Sequence, residues 1–225
     1  LAEENLLAAG NGNGHKTAGL SAGLLHALAR HHRRVVGMKP VAAGLVPWGD
    51  DWASEDAIAL RSASTLAVPP ALDNPVLLPD PLSPHIAAAR AGVQIDIAAI
   101  VASYQTLAAQ ADAVVVEGAG GFHVPLTDTL TGADLAQALA LPVVLVVGLR
   151  LGCLNHALLT AEAIRTRGLT LAGWVANRVD PDMEAVEDNI AYLRARLGAP
   201  LLADVPHQEL PEPGSLVFDL PKDWR

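Results

Sequence analysis

The sequence has a single cysteine, Cys153, among its 225 residues. No intramolecular disulfide can form, and a reducing compartment, the cytoplasm, is the expected location. Aromatic residues make up only 4%. The core must therefore be built mainly from Ala, Leu and Val, which suits close packing of helices on a parallel sheet. No apolar run approaches the roughly 20 residues that a membrane helix needs. No basic-then-apolar leader opens the chain, so secretion is not expected. Positive charge is scarce: 15 Lys and Arg face 24 Asp and Glu, for a net charge of −9. That balance argues against non-specific nucleic-acid binding and against adhesion to an acidic membrane, while leaving room for a local basic pocket. Hydrophobic residues reach 51% and charged residues only 17%, enough for one sizeable core. No repeat, low-complexity tract or linker divides the chain, so residues 1–225 are read as one α/β domain.

What is present begins with Gly10-Asn11-Gly12-Asn13-Gly14-His15-Lys16-Thr17. This stretch follows the apolar run Leu6-Leu7-Ala8-Ala9 and precedes a helix expected over 16–31, with Leu20, Leu24, Leu25 and Leu28 on one face. A strand, a glycine turn ending in Lys-Thr and a helix form the layout of a phosphate-binding loop. Its backbone N–H groups point at phosphate, its lysine supplies a positive charge, and its threonine hydroxyl can reach magnesium. Val35-Val36-Gly37-Met38 reads as a short buried strand that delivers Lys39 to the carboxyl edge of the sheet, where open α/β sheets bind ligands. Residues 44–52 read as a loop, Ser54 as the cap of a helix carrying Asp56, and 69–84 as irregular chain around one extended piece. Ser83-Pro84 reads as a second cap.

Ala113-Val114-Val115-Val116-Glu117-Gly118-Ala119-Gly120-Gly121 is the second informative stretch. A buried strand closing on a carboxylate is where a nucleotide-binding sheet directs an acid toward magnesium. Asp56 also has a plainer explanation, since a carboxylate in a first helical turn suits the helix dipole. Glu117 does not, because a carboxylate ending a buried strand needs a partner. A capping box is expected at Thr131 to Asp134, helices over 96–110, 155–167 and 183–197, and strands over 141–147 and 171–176 and from Leu201. The alternation of strand and helix predicts a doubly wound, mostly parallel sheet with helices on both faces, the three-layer architecture of P-loop NTPases.

Lys39-Pro40-Val41-Ala42, Ser83-Pro84-His85-Ile86, Val116-Glu117-Gly118-Ala119-Gly120-Gly121, Leu151-Gly152-Cys153-Leu154-Asn155-His156-Ala157 and Leu171-Ala172-Gly173-Trp174-Val175-Ala176-Asn177 occur in one order along the chain. Together they resemble the dethiobiotin synthetase family. The resemblance implies an ATP- and magnesium-dependent ligase of biotin synthesis that closes a cyclic urea on 7,8-diaminononanoate with carbon dioxide, through a carbamate and a carbamic–phosphoric anhydride. It implies that Lys39 and Lys16 are catalytic, and that Thr17, Asp56 and Glu117 hold magnesium. Nucleotide contacts would come from Asn13, Gly14, His15, Lys16, Thr17, Ala18, Asp56, Glu117, Gly118, Gly120, Asn177, Arg178, Pro206, His207 and Gln208. Substrate contacts would come from Gly12, Lys39, Ala43, Glu117 and Gly120, with Leu151, Gly152 and Asn155 reaching across a homodimer interface.

The chain departs from the family's loop pattern Gly-Thr-Asp-Thr-x-Val-Gly-Lys-Thr. It has Ala9 for the first glycine, Gly12 for the second threonine, Asn13 at an often acidic position and His15 before the lysine. Ala43 stands where a substrate-contacting serine is common, and His207 where an aromatic is common. These departures define the alternative reading, a non-catalytic or weakly active P-loop homologue serving as a binding or scaffold protein. Cys153 reads as a small packed residue, and His85 and His156 as structural.

Overall fold

The computed structural model of the protein describes residues 4–10, 14–49, 51–208 and 212–225. The chain opens with β1 (Glu4–Gly10), α1 (Gly14–Leu28) and β2 (Val35–Met38). Three very short strands follow, β3 (Val41–Ala43), β4 (Val46–Trp48) and β5 (Asp51–Ala53). Then come α2 (Glu55–Ala63), α3 (Pro70–Asp73), β6 (Val76–Leu78), α4 (Pro84–Ala91) and α5 (Ile97–Ala108). The second half alternates strictly: β7 (Ala113–Glu117), α6 (Gly132–Leu139), β8 (Val143–Gly148), α7 (Cys153–Thr166), β9 (Leu171–Asn177), α8 (Val186–Arg196) and β10 (Leu201–Val205).

Six strands form one sheet in the order β10-β9-β8-β1-β7-β2, and every neighbouring pair is parallel. Both faces are covered, so neighbouring residues along a strand enter opposite layers. Leu7, Val114, Val116, Leu145 and Val147 pack with residues of α4 to α8. Leu6, Val115, Val144 and Val146 pack with α1, α2 and the C-terminal residues Leu216, Leu220 and Trp224. The doubly wound expectation holds, and the main sheet is wholly rather than mostly parallel. β1 lies between β7 and β8, so strands leave it in both directions and open a crevice at their carboxyl ends. Among the described residues, no helix is long and apolar enough to cross a membrane.

Three local expectations are corrected. Residues 44–52 are not simply a loop: β4 and β5 pair antiparallel, with Pro47 opposite Trp52 and Trp48 opposite Asp51. The β-forming Val46, Trp48 and Trp52 outweigh the proline, which an edge strand tolerates. Residues 69–84 hold α3 as well as β6, and β6 pairs with β3 in a second small parallel sheet. Ser54 and Ser83 occupy the positions preceding α2 and α4, but neither hydroxyl caps its helix. The Ser83 hydroxyl meets His85 Nδ1 at 3.1 Å instead. The capping box before α6 is present, with the Thr131 N–H donating to Asp134 Oδ2 at 2.7 Å.

Candidate active site

Lys39 leaves β2 at the carboxyl edge and is held by its backbone. Its N–H donates to Asp73 O at 2.8 Å, and its carbonyl accepts from Asn74 Nδ2 at 2.7 Å. Its side chain turns inward and is 4% exposed. Nζ donates to Glu117 Oε1 at 2.8 Å and to Gly118 O at 3.1 Å, and it pairs with Asp56 Oδ2 at 2.8 Å. An ammonium has three hydrogens, and all three find acceptors here. Glu117 ends β7 and is fully buried, because the last residue of a central strand lies under the loops that leave the sheet. Asp56 approaches from the first turn of α2 with its side chain 16% exposed. The helix-dipole explanation of Asp56 is therefore insufficient, since the carboxylate has a buried cation as its partner.

The electrostatics follow from this packing. Burial opposes the charge on Lys39, but the carboxylates of Glu117 and Asp56 outweigh it and hold its pKa above the ordinary value. Complete burial pushes the Glu117 carboxyl up, against the pull of Lys39 and aided by the like charge of Asp56. The Lys39 ammonium is thus kept protonated between its two acidic partners. Among the described residues, Glu117 Oε2 is buried with no hydrogen-bond partner.

The segment after Glu117 is all small residues. The Gly118 N–H donates to Ala8 O at 3.0 Å, tying the turn to β1. Gly120 has φ +76°, a conformation that favours glycine. Glu117, Gly118 and Gly120 line a narrow apolar cavity of about 30 Å³ with Pro40 and Phe122, room for about one water. Ala43 closes β3 opposite Leu78, half-buried.

The other expected residues form two further groups. Asn177, at the end of β9, is buried, and its carbonyl accepts from Leu149 N–H at 2.7 Å. The Arg178 N–H donates to Val205 O at 3.0 Å, and His207 Nδ1 lies 3.1 Å from Arg178 O. Pro206, His207 and Gln208 thus continue beside Asn177 and Arg178. The Arg178 guanidinium donates through Nε and Nη2 to Asp204 and Glu187, which draws the side chain toward those carboxylates. Leu151, Gly152 and Asn155 line a groove of about 520 Å³ with Asp180, Asp182 and Met183. They are not among the groups that hold the Lys39 ammonium, and Leu151 is 97% exposed. Gly12 and Asn13 lie outside the described residues. Gly14, His15, Lys16 and Thr17 are placed as the first turn of α1, and their side chains lie outside the described atoms; Ala18 is buried.

Sequence reasoning did not single out Asp73, Asn74 or Ser21. Asn74 is buried and braces the Lys39 carbonyl, and the turn-forming Asp73-Asn74-Pro75 was its available signal. Among the described residues, no group of three or more His, Cys, Asp or Glu could hold a metal ion. Two carboxylates do converge on one cation, and one buried carboxylate oxygen lacks a partner. Such hard oxygen donors fit magnesium, which takes one or two carboxylates and completes its shell with phosphate and water.

An all-parallel sheet with a helix starting after β1 and charged residues at the carboxyl ends of β2 and β7 defines a P-loop nucleotide-binding protein. The comparisons agree. A family profile described as an AAA domain matches residues 13–213. Among solved structures, a ParA family ATPase from Chlorobium tepidum TLS superposes with TM-score 0.56 at 17% identity, over 92% of this chain and 86% of that one. Chloroplast FtsY from Physcomitrella patens superposes with TM-score 0.55 at 16% identity, over 98% of this chain and 63% of that one. At such identities the likeness is one of fold. The ATP-dependent dethiobiotin synthetase BioD of Aromatoleum aromaticum is 55% identical over 199 residues, 88% of each chain. The chain belongs to the dethiobiotin synthetase family.

Proposed function

We propose that this chain, as a single domain, closes the ureido ring of dethiobiotin from 7,8-diaminononanoate, carbon dioxide and ATP, in the cytoplasm. One amine adds to carbon dioxide to give a carbamate. A carbamate oxygen attacks the γ-phosphate and ADP leaves. The second amine then attacks the carbamoyl carbon and expels phosphate. This sequence needs no protein nucleophile; it needs cations beside anionic oxygens and strict positioning. The observation that carries the reading is Lys39, buried at the carboxyl edge with its ammonium shared by Glu117 and Asp56.

The chain's own residues take these roles. Lys39 exchanges one of its three internal acceptors for the carbamate; Asp56, the more exposed carboxylate, is the partner it gives up. Lys16 neutralises charge on the transferred phosphoryl group, with Asn13, Gly14, His15, Thr17 and Ala18 around the phosphates. Thr17, Asp56 and Glu117 would hold Mg2+, which offsets phosphate charge when bound. Gly118 and Gly120 let the backbone approach substrate and nucleotide. Asn177, the Arg178 backbone, Pro206, His207 and Gln208 line the base. Gly12, Ala43, Glu117 and Gly120 border the diamine. Leu151, Gly152 and Asn155 reach the substrate tail from the second subunit of a homodimer, a role supported by their exposure beside an open groove.

The alternative, a non-catalytic homologue, finds no support in a relative 55% identical across 88% of the chain. The test is phosphate release measured with each substrate omitted in turn. Release that requires ATP, bicarbonate and diaminononanoate together is the expected result. Release indifferent to the diamine would overturn the reading.

A further inference from the structure

Among the described residues, three buried side-chain polar atoms have no hydrogen-bond partner: Ser21 Oγ, Glu117 Oε2 and Trp174 Nε1. Trp174 belongs to the core layer of α4 to α8. The other two lie in one layer, since Ala113 and Val115, on the same face of β7 as Glu117, pack with Leu20, Leu24 and Leu25 of α1. Ser21 lies on α1, one turn beyond Thr17, and is 2% exposed. Its hydroxyl is close enough to Glu117 to lower the carboxyl's proton affinity, although the two are not in hydrogen-bond geometry. Buried orphans each cost free energy. A hydrogen bond from the Ser21 hydroxyl to Glu117 Oε2 would satisfy both at once.

The bland account of Ser21 is packing: a small residue where α1 crosses the sheet, for which alanine would serve equally. That account leaves a polar hydroxyl unexplained in a helix face otherwise filled by Leu20, Leu24 and Leu25. It also ignores the asymmetry at Glu117. Oε1 is fixed by Lys39 at 2.8 Å, and among the described residues nothing fixes Oε2. When Lys39 shifts toward a carbamate, the Glu117 carboxylate loses part of its side-chain anchor among the described residues and is able to turn.

We infer that Ser21 is a positioning residue: its hydroxyl donates to Glu117 Oε2 in the loaded site and holds the carboxylate plane while Lys39 changes partners. No bond is made or broken in the reaction by Ser21. The inference rests on the roles proposed above for Glu117 and Lys39.

The test compares Ser21→Ala with Ser21→Thr, which keeps the hydroxyl. Supporting shells around metal-directed carboxylates change affinity or activity by about 10-fold when removed. In Ser21→Ala, kcat for substrate-dependent phosphate release should fall about 10-fold, with KM for ATP changed by less than about twofold. The magnesium concentration giving half-maximal nucleotide binding in calorimetry should rise by about the same 10-fold factor. Binding measured in chelator should not change, and Ser21→Thr should restore both quantities. Wild-type kcat and an unchanged magnesium requirement in Ser21→Ala overturn the inference. So do equal losses in both variants, which mark a packing role. Glu117→Gln separates the levels. If it keeps full turnover, the reading of the site itself fails. If it is inactive while Ser21→Ala is fully active, only the role of Ser21 fails.

Discussion

Every ammonium hydrogen of Lys39 is spent inside the protein, on Glu117, Asp56 and the Gly118 carbonyl. This makes Lys39 both a structural and a chemical residue, and the two roles can be separated by measurement. Lys39→Ala should lower turnover by about a hundredfold or more while calorimetry still detects ATP binding, since the phosphate-binding loop is a different segment. Retained turnover would remove Lys39 from the chemistry. Lys39→Met leaves Glu117 buried without its cation, which costs about 3–5 kcal/mol when the charge stays. Glu117 is already pushed up by burial, and losing Lys39 removes what pulls it down. Its folded-state pKa then lies above the unfolded value, so the folded state binds the proton more tightly. The deficit of Lys39→Met should therefore shrink as pH falls from about 8 to about 5, read by urea melts of variant and wild type in parallel. A deficit constant over that range would mean that Glu117 does not take up the proton.

Three elements bring the site together, β2, β7 and α2, and the sequence shows the strands better than the helix. The ends of β2 and β7 were legible, because a short apolar run followed by Lys39 or Glu117 has few interpretations in an alternating α/β chain. Asp56 was placed in the site by the family resemblance alone and not by its own pattern, because its arrival depends on how closely α2 lies on β2. That distance is set at Gly37, where an added Cβ would come within 2.8 Å of both Leu60 Cβ and Leu25 Cδ1. Gly37→Ala should push α2 outward, cost about 1–3 kcal/mol as overpacking and weaken the Asp56–Lys39 contact. Thermal melts with a crystal structure check it, and an Asp56–Lys39 distance still at 2.8 Å would sink the idea. The hairpin of β4 and β5 was missed because Pro47 and Gly49 punctuate a run whose pairing is only three residues a side. The start of α6 was read correctly from Thr131 and Asp134. Hydrogen bonds from Thr131 and Arg167 hold the Asp134 carboxyl down at about 2. A carboxylate depressed in the folded state contributes stability above its ordinary pKa and loses it as pH falls through the folded value. Asp134→Asn should lose about 1 kcal/mol at neutral pH, discounted for partial exposure. Between about pH 4 and about pH 2 it should also be less acid-sensitive than wild type in denaturant melts.

At the scale of the molecule, the sequence shows the sheet and the residues at its edge, but not how distant residues cooperate. Asn74 and Ser21 became visible only in the fold: the end of α3 places Asn74 against the Lys39 carbonyl, and α1 carries Ser21 into the layer that Glu117 faces. The segment of Leu151 and Asn155 poses the converse problem: it was recognised in the sequence, yet in one subunit it stands apart from the Lys39 cluster. An almost fully exposed Leu151 forgoes about 2 kcal/mol available from burial, which a second subunit would recover. In a symmetric dimer each site would then combine Lys39 of one subunit with Asn155 of the other. Lys39→Ala and Asn155→Asp should each be nearly inactive alone. When they are mixed and allowed to exchange, about half of the dimers are heterodimers, and each contains one site with both residues intact. Activity should rise to about a quarter of the wild-type level. If Asn155 served the site of its own subunit, every site in the heterodimer would carry one defect, and mixing would restore nothing.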